Sequence, residues 1–117
     1  MTTTRPRPDA CLVRLAGELD LDTAPMLGAY LRTHTAAKPT YLLLDLCEVN
    51  LLAAAGLTVI VTAQREDHSI HGDLRVIGVP SNRAVARVLH LTGIDTFLRI
   101  HATVADALNA IDQITQN

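Results

Sequence analysis

The stretch Tyr41-Leu-Leu-Leu-Asp-Leu46 is the strongest constraint on what this chain can fold into. A strand with one face in water alternates apolar and polar residues. An almost unbroken apolar run of this length is instead the mark of a strand covered on both faces. Such a strand lies inside a sheet with a packed layer above and below it. A mostly parallel sheet clothed in helices supplies that environment most directly, so the rest of the chain has to provide the helices and the neighbouring strands.

It does so in alternation. Cys11-Leu-Val-Arg-Leu-Ala16 alternates loosely and meets Gly17, which reads as a strand. Asp22 or Thr23 can cap a helix through Arg32, with Ala24, Leu27, Tyr30 and Leu31 at helical spacing. Lys38-Pro39 ends that unit, because proline disfavours helical geometry at the residue before it. A second helix is predicted over Ala55–Ser69, with Leu57, Ile60, Val61 and Gln64 on one face. Leu74–Val79 reads as a strand. Ser81 or Asn82 starts a helix that runs to Thr92 and stops at Gly93. Phe97–His101 reads as a last strand, and Thr103 caps a final helix carrying Val104, Ala107, Leu108, Ile111 and Ile114 inward. Residues 1–9 contain Pro6 and Pro8, which cannot donate to a ladder, so they form a tail or at best a ragged edge strand. The order (β)βαβαβαβα predicts a single α/β domain over residues 10–117. Its four- to five-stranded, mostly parallel sheet has about four helices around it and Leu42–Leu46 at its centre.

Composition excludes several functions. Ten basic and twelve acidic residues give a net charge of −2, which argues against an electrostatic nucleic-acid binder. The aromatic residues are Tyr30, Tyr41 and Phe97, too few to stack on bases or sugars. The longest apolar run, Leu51–Ala63, contains Thr58 and Thr62 and ends at Gln64, short of the ~18 residues a membrane span needs. The segment Met1–Asp9 has no apolar stretch of a secretory leader, so a cytoplasmic protein with no direct membrane contact is expected. Cys11 and Cys47 are far apart, with no CxxC pairing. Parallel strands would also hold them too far apart for a disulfide.

Catalytic and metal constellations are equally scarce. Asp45 sits near a strand end, as the phosphoacceptor of a receiver domain would. The first strand, however, ends Leu15-Ala16-Gly17 with Glu18 and Asp20 only beyond it, a poor match to an acidic pair for Mg²⁺. Neither GxGxxG nor GxxxxGK[ST] nor GxSxG occurs. Of the histidines, only His68 and His71 are close in sequence, and a solvated helix end accounts for them. Glu18, Asp20 and Asp22 fit a loop leading into a helix N-terminus, where acids suit the helix dipole. The expectation is therefore a protein that is not an enzyme and holds neither cofactor nor metal.

Four segments, in order, carry a resemblance to a known family. Leu15-Ala-Gly17-Glu18-Leu19-Asp20-Leu-Asp-Thr23-Ala24 resembles the L-x-G-E-L-D-x-x-T-A opening of STAS domains, the bacterial anti-sigma factor antagonists. Leu42-Leu-Leu-Asp45-Leu46-Cys47-Glu-Val49 resembles their central strand with its D-L-S-x-V ending. Leu51-Leu52-Ala53-Ala54-Ala55-Gly56-Leu57 stands where the family carries F-[MI]-D-S-S-G-L. Val88-Leu-His-Leu-Thr92-Gly93-Ile94 and the following strand and helix resemble its closing part. The resemblance covers about residues 10–112.

The resemblance implies a protein-binding module. Such antagonists engage a kinase-type anti-sigma factor through the loop before the second helix and through that helix, and so release a sigma factor. The kinase shuts them off by phosphorylating the first serine of D-S-S-G. Here that position is Ala54, its neighbour is Ala55 and the aspartate position is Ala53. Alanine has no hydroxyl, so the switch at Ala54 is chemically absent. The nearest hydroxyl, Thr58, stands about one turn further on. The expected contact surface comprises Leu51, Leu52, Ala53, Ala54, Ala55, Gly56 and Thr58 beside Asp20 and Asp22, on a monomer or weak homodimer. The alternative the resemblance leaves open is a STAS subunit of a lipid-moving ABC transporter or of a stress-signalling scaffold.

Overall fold

The computed structural model describes residues 1–34, 39–66 and 73–115. Its elements are β1 (Thr2–Arg7), β2 (Ala10–Leu19), α1 (Ala24–His34), β3 (Tyr41–Leu52) and α2 (Ala54–Arg65), then β4 (Asp73–Ile77), α3 (Arg83–Thr92), β5 (Ile100–His101) and α4 (Val104–Thr115). The five strands form one sheet in the order β1-β2-β3-β4-β5. Strand β1 runs antiparallel to β2, and every other neighbouring pair is parallel. This is the mostly parallel α/β sheet the sequence predicts.

The two faces of the sheet hold two cores. Cys11, Val13 and Leu15 of β2, Leu42, Leu44 and Leu46 of β3, and Leu74 and Val76 of β4 pack with Leu27 and Leu31 of α1, Leu57 and Ile60 of α2, and Val85 and Leu89 of α3. Leu12, Leu43 and Ile77 point the other way and meet Ala107 and Ile111 of α4. Leu42, Leu43 and Leu44 are each 0% exposed, so the central strand is covered on both sides. Parallel strands taken in sequence order, with their connecting helices on one face, are what crossovers of a single hand produce. Helix α4 follows the last strand and closes the opposite face.

Several local signals act as read. The Asn82 carboxamide caps α3 by accepting from the Val85 N–H. Gly93, at φ 76°, ends that helix in the left-handed region. Thr103 Oγ1 accepts from Asp106 N at 3.1 Å and caps α4. Cys11 and Cys47 are free thiols, the first buried and the second exposed. Cys11 pairs with Leu42, so Cys47 lies five residues further along.

Other expectations are narrowed or corrected. Residues 2–7 take the edge-strand option the sequence left open: the register with β2 shifts between Thr4 and Arg7, and Pro6 falls in that irregularity, where it costs no ladder bond. Arg7 then ties the strand to Asp9 and to Asp112 of α4, both at 2.8 Å. The last strand shrinks to Ile100–His101. Phe97 N and Leu98 N both donate to Ile94 O, closing a short 3-10 turn over Ile94–Thr96 that occupies their backbone groups. Of the two cap candidates of α1, Thr23 takes the N-cap position, its carbonyl accepting from Leu27 N at 3.0 Å, while Asp20 organises the turn ahead of it. The predicted end of the second helix at Ser69, and His68 and His71, lie outside the described residues.

A polar cluster lies beside α4. Arg75 of β4 donates to Asp73 Oδ2 at 3.1 Å and meets His101 Nε2 at 3.2 Å. Asp73 Oδ1 also stands 2.7 Å from Arg99 Nη2. A guanidinium only donates, so His101 Nε2 accepts and the ring is neutral, with its proton on Nδ1. Burial first, and the Arg75 charge second, hold this histidine below its ordinary pKa of 6.5. The unfolded chain therefore binds the proton before the folded one does. This contribution to stability is complete above the ordinary value and falls as pH drops through it toward the folded pKa. Denaturant midpoints measured at pH 7.5, 6.5 and 5.5 should decline in that order, and His101→Asn should flatten the decline. Equal slopes in the two proteins would show that His101 is not its source.

Candidate functional site

The C-terminal ends of β2 and β3 bring the two predicted site segments together. Leu19 pairs with Leu52, and Ala53 N donates to Leu19 O at 2.8 Å. The loop 20–23 and the start of α2 therefore share one rim of the sheet.

The loop is rigidly built. Asp20 Oδ1 accepts from Asp22 N and Thr23 N, each at 3.0 Å. The Thr23 hydroxyl donates to Glu18 O and accepts from Asp20 N, each at 2.8 Å. The backbone N–H of Thr23 is the main reason the Asp20 carboxyl titrates below its ordinary range, since donors favour the charged form. Asp20 is thus engaged in making the turn, while Asp22 is exposed. The turn carries Leu21 outward, 78% exposed.

Across the rim, α2 starts without a cap. Ala53 occupies the N-cap position in extended geometry and offers no side-chain acceptor. No acidic residue lies in the first turn either. Ala54 is exposed and Ala55 half-buried. The Thr58 hydroxyl donates back to Ala54 O at 2.9 Å. It lines a groove of about 150 Å³ between α1 and α2, with Gly28 and Arg32 opposite.

Two members of the expected surface turn inward. Leu52 is 4% exposed and belongs to the core. Gly56 is buried, and a Cβ there would lie 2.8 Å from Leu19 Cβ and 3.0 Å from Leu19 O. Its small size serves the approach of α2 to the end of β2. Leu51, at 45% exposure, does face solvent.

On the loop 20–23 and the first turn of α1, two further apolar residues are exposed, Leu21 and Met26. Leu21 carries a signal in hindsight: an apolar residue flanked by two aspartates in a turn has no core to enter. Met26 borders a second groove, of about 320 Å³, with Leu15, Leu19 and Tyr30.

Asp45 lies away from this rim chemistry. It accepts from Cys47 N at 2.9 Å and pairs with Arg14 at 3.4 Å. Among the described residues no group of three His, Cys, Asp or Glu is placed to hold a metal ion. No described helix is long and apolar enough to cross a membrane.

Comparison with known proteins adds four findings. The profile of the family described as "Mlab, STAS domain" matches residues 2–100. The anti-sigma-F factor antagonist RsfB of Mycobacterium tuberculosis is 31% identical over 102 residues, which are 86% of this chain and 80% of that protein. The crystal structure of an anti-sigma factor antagonist from Mycobacterium paratuberculosis superposes with a TM-score of 0.80 at 29% identity, covering 95% of this chain and 93% of the other. The anti-sigma factor antagonist SpoIIAA of Bacillus, in its unphosphorylated form, shares the fold at a TM-score of 0.73 and 17% identity, over 96% of each chain.

Proposed function

The chain belongs to the STAS domain family, and on that premise we propose that it is an anti-sigma factor antagonist whose switch position is closed to phosphorylation. It binds a kinase-type anti-sigma factor through the rim formed by loop 20–23, Leu51 and the first turns of α2, and so frees a sigma factor. The chain contributes binding, and any phosphoryl chemistry belongs to the partner.

The observation that carries this reading is the pairing of an exposed apolar rim with alanine at each switch position. Leu21, Leu51 and Ala54 are exposed on segments that leave the sheet at the same end, and apolar side chains gathered on one rim mark an interaction surface. Ala53 and Ala54 supply neither a cap nor a hydroxyl. The bound state is therefore not interrupted by a phosphate at this point, where added charge would disrupt a packed contact. SpoIIAA, by contrast, has been solved in a phosphorylated form.

Two substitutions test it against the cognate anti-sigma factor. Ala54→Asp places a carboxylate in the contact while suiting the helix N-terminus. It should leave the fold intact and raise the dissociation constant at least about tenfold, the equivalent of ~1.4 kcal/mol. Ala54→Ser should accept label from ATP in the presence of the kinase, on the new serine, while wild type stays unlabelled. Label on wild-type Thr58 would show that the switch has moved. Unchanged binding by Ala54→Asp would remove this rim as the interface. Recovery of the chain with an ATPase and a membrane protein would favour a transporter subunit.

A further inference from the structure

We propose that Asn82 is a positioning residue for this rim, acting through the distal arm of β3 rather than touching the partner. The inference rests on the function proposed above for the rim, but its structural basis is separate. Strand β4 ends at Ile77, which pairs with Asp45. Beyond Asp45, β3 continues to Leu52 with β2 on one side and, among the described residues, no strand on the other. Carbonyls left without a ladder partner in that position need other donors. The Asn82 carboxamide supplies them: Nδ2 lies 2.9 Å from Leu46 O, 2.6 Å from Val49 O and 3.3 Å from Cys47 O. Its other end, Oδ1, accepts from Val85 N at 3.3 Å. The amide orientation is fixed by these partners, because the reverse flip would set an oxygen against three carbonyl oxygens.

The arm held in this way is irregular. Between Arg14 and Ala16, β2 contributes one residue, while β3 contributes Leu46 and Cys47; between Gly17 and Glu18, β3 inserts Asn50. Each extra residue bends the strand and re-aims the chain beyond it. That chain is Leu51, then Ala53 and the start of α2. One side chain thus joins the cap of α3 to the segment that aims the rim. Pairing with β2 keeps the arm attached when Asn82 is lost, so the expected consequence is misplacement rather than unfolding.

Two variants of the full-length chain separate the roles. Asn82→Ser keeps a capping oxygen for α3 but cannot span to the β3 carbonyls. Asn82→Asp keeps the capping oxygen and the size, and turns an oxygen toward those carbonyls. Hydrogen exchange should accelerate at Val49–Leu57 in both, more in Asn82→Asp, while α3 and the central residues Leu42–Leu44 keep their protection. If the arm then holds the binding geometry about a tenth of the time, the dissociation constant for the anti-sigma factor rises about tenfold. A purely structural role would lower the melting temperature and leave the affinity of the folded protein unchanged. Unaltered exchange at Val49–Leu57 overturns the fastening, and faster exchange with unaltered affinity overturns the positioning. Wild type that binds no anti-sigma factor overturns the proposed function and the positioning with it, while the exchange pattern still decides whether Asn82 fastens the arm.

Discussion

Gly56→Ala should destabilise the protein by about 1–2 kcal/mol, even though alanine is the better helix former by roughly 1 kcal/mol. The new Cβ would stand 2.8 Å from Leu19 Cβ and 3.0 Å from Leu19 O. Both atoms belong to, or branch directly from, the backbone of β2, so neither can swing aside. The first turn of α2 has to move away instead, carrying Ala53 and Ala54 with it and stretching the Ala53–Leu19 hydrogen bond. Affinity for the anti-sigma factor should therefore fall together with stability. Gly28→Ala is the control. Its Cβ would meet only Arg32 Nη1, at an ordinary 3.5 Å, so the helix-propensity gain should survive and stabilise α1 by about 0.5–1 kcal/mol. Urea unfolding of both variants decides the matter. A Gly56→Ala protein as stable as Gly28→Ala would show that α2 does not rest on Leu19 as described.

That contrast marks the boundary of what the sequence could reveal. Signals confined to a few neighbouring residues were legible: the apolar run at Leu42–Leu44, the Asn82 cap, the Gly93 stop and the Thr103 cap each act where the chain places them. The side taken by Val49 was not legible. Strict alternation continued from Leu46 would send Glu48 and Asn50 into the core and turn Val49 out, although it places Leu51 and Leu52 on their observed sides. The two extra residues in β3 replace that period with steps of three, so Leu46, Val49 and Leu52 point inward and Leu51 outward. Register depends on β2 and on Asn82, 33 residues from Val49, and no local pattern encodes it. The same holds for Gly56, which its motif position assigns to the contact surface and whose neighbour is Leu19. Phe97 looked like a strand residue because a 3-10 turn of three residues leaves no periodicity to read.

Ile111→Ala should cost about 2–5 kcal/mol, and the loss should fall on one element. The two faces of the sheet are unequally furnished. Helices α1, α2 and α3 share one large apolar cluster. Among the described residues, helix α4 is held by a small one, in which Ala107 and Ile111 meet Leu12, Leu43 and Ile77, with Tyr41, Val104 and Leu108 at its edge. Ile111 is 1% exposed and is the larger of the two fully buried side chains of α4 among the described residues. Without it, the helix keeps a methyl group at Ala107, partly buried neighbours, and the Arg7–Asp112 ion pair at 2.8 Å. An ion pair as exposed as this one contributes at most about 1 kcal/mol. Opening of α4 alone should then lie well below global unfolding in free energy, as happens where few apolar contacts secure an element. Native-state hydrogen exchange should show the α4 amides losing protection ahead of those of β3 and α3. Because α4 covers the face opposite α1 and α2, affinity for the anti-sigma factor should stay at the wild-type value. Amides of α4 that exchange only with the global transition would show the two cores to be one cooperative unit, and a matching loss of affinity would place part of the interface on the α4 side of the sheet.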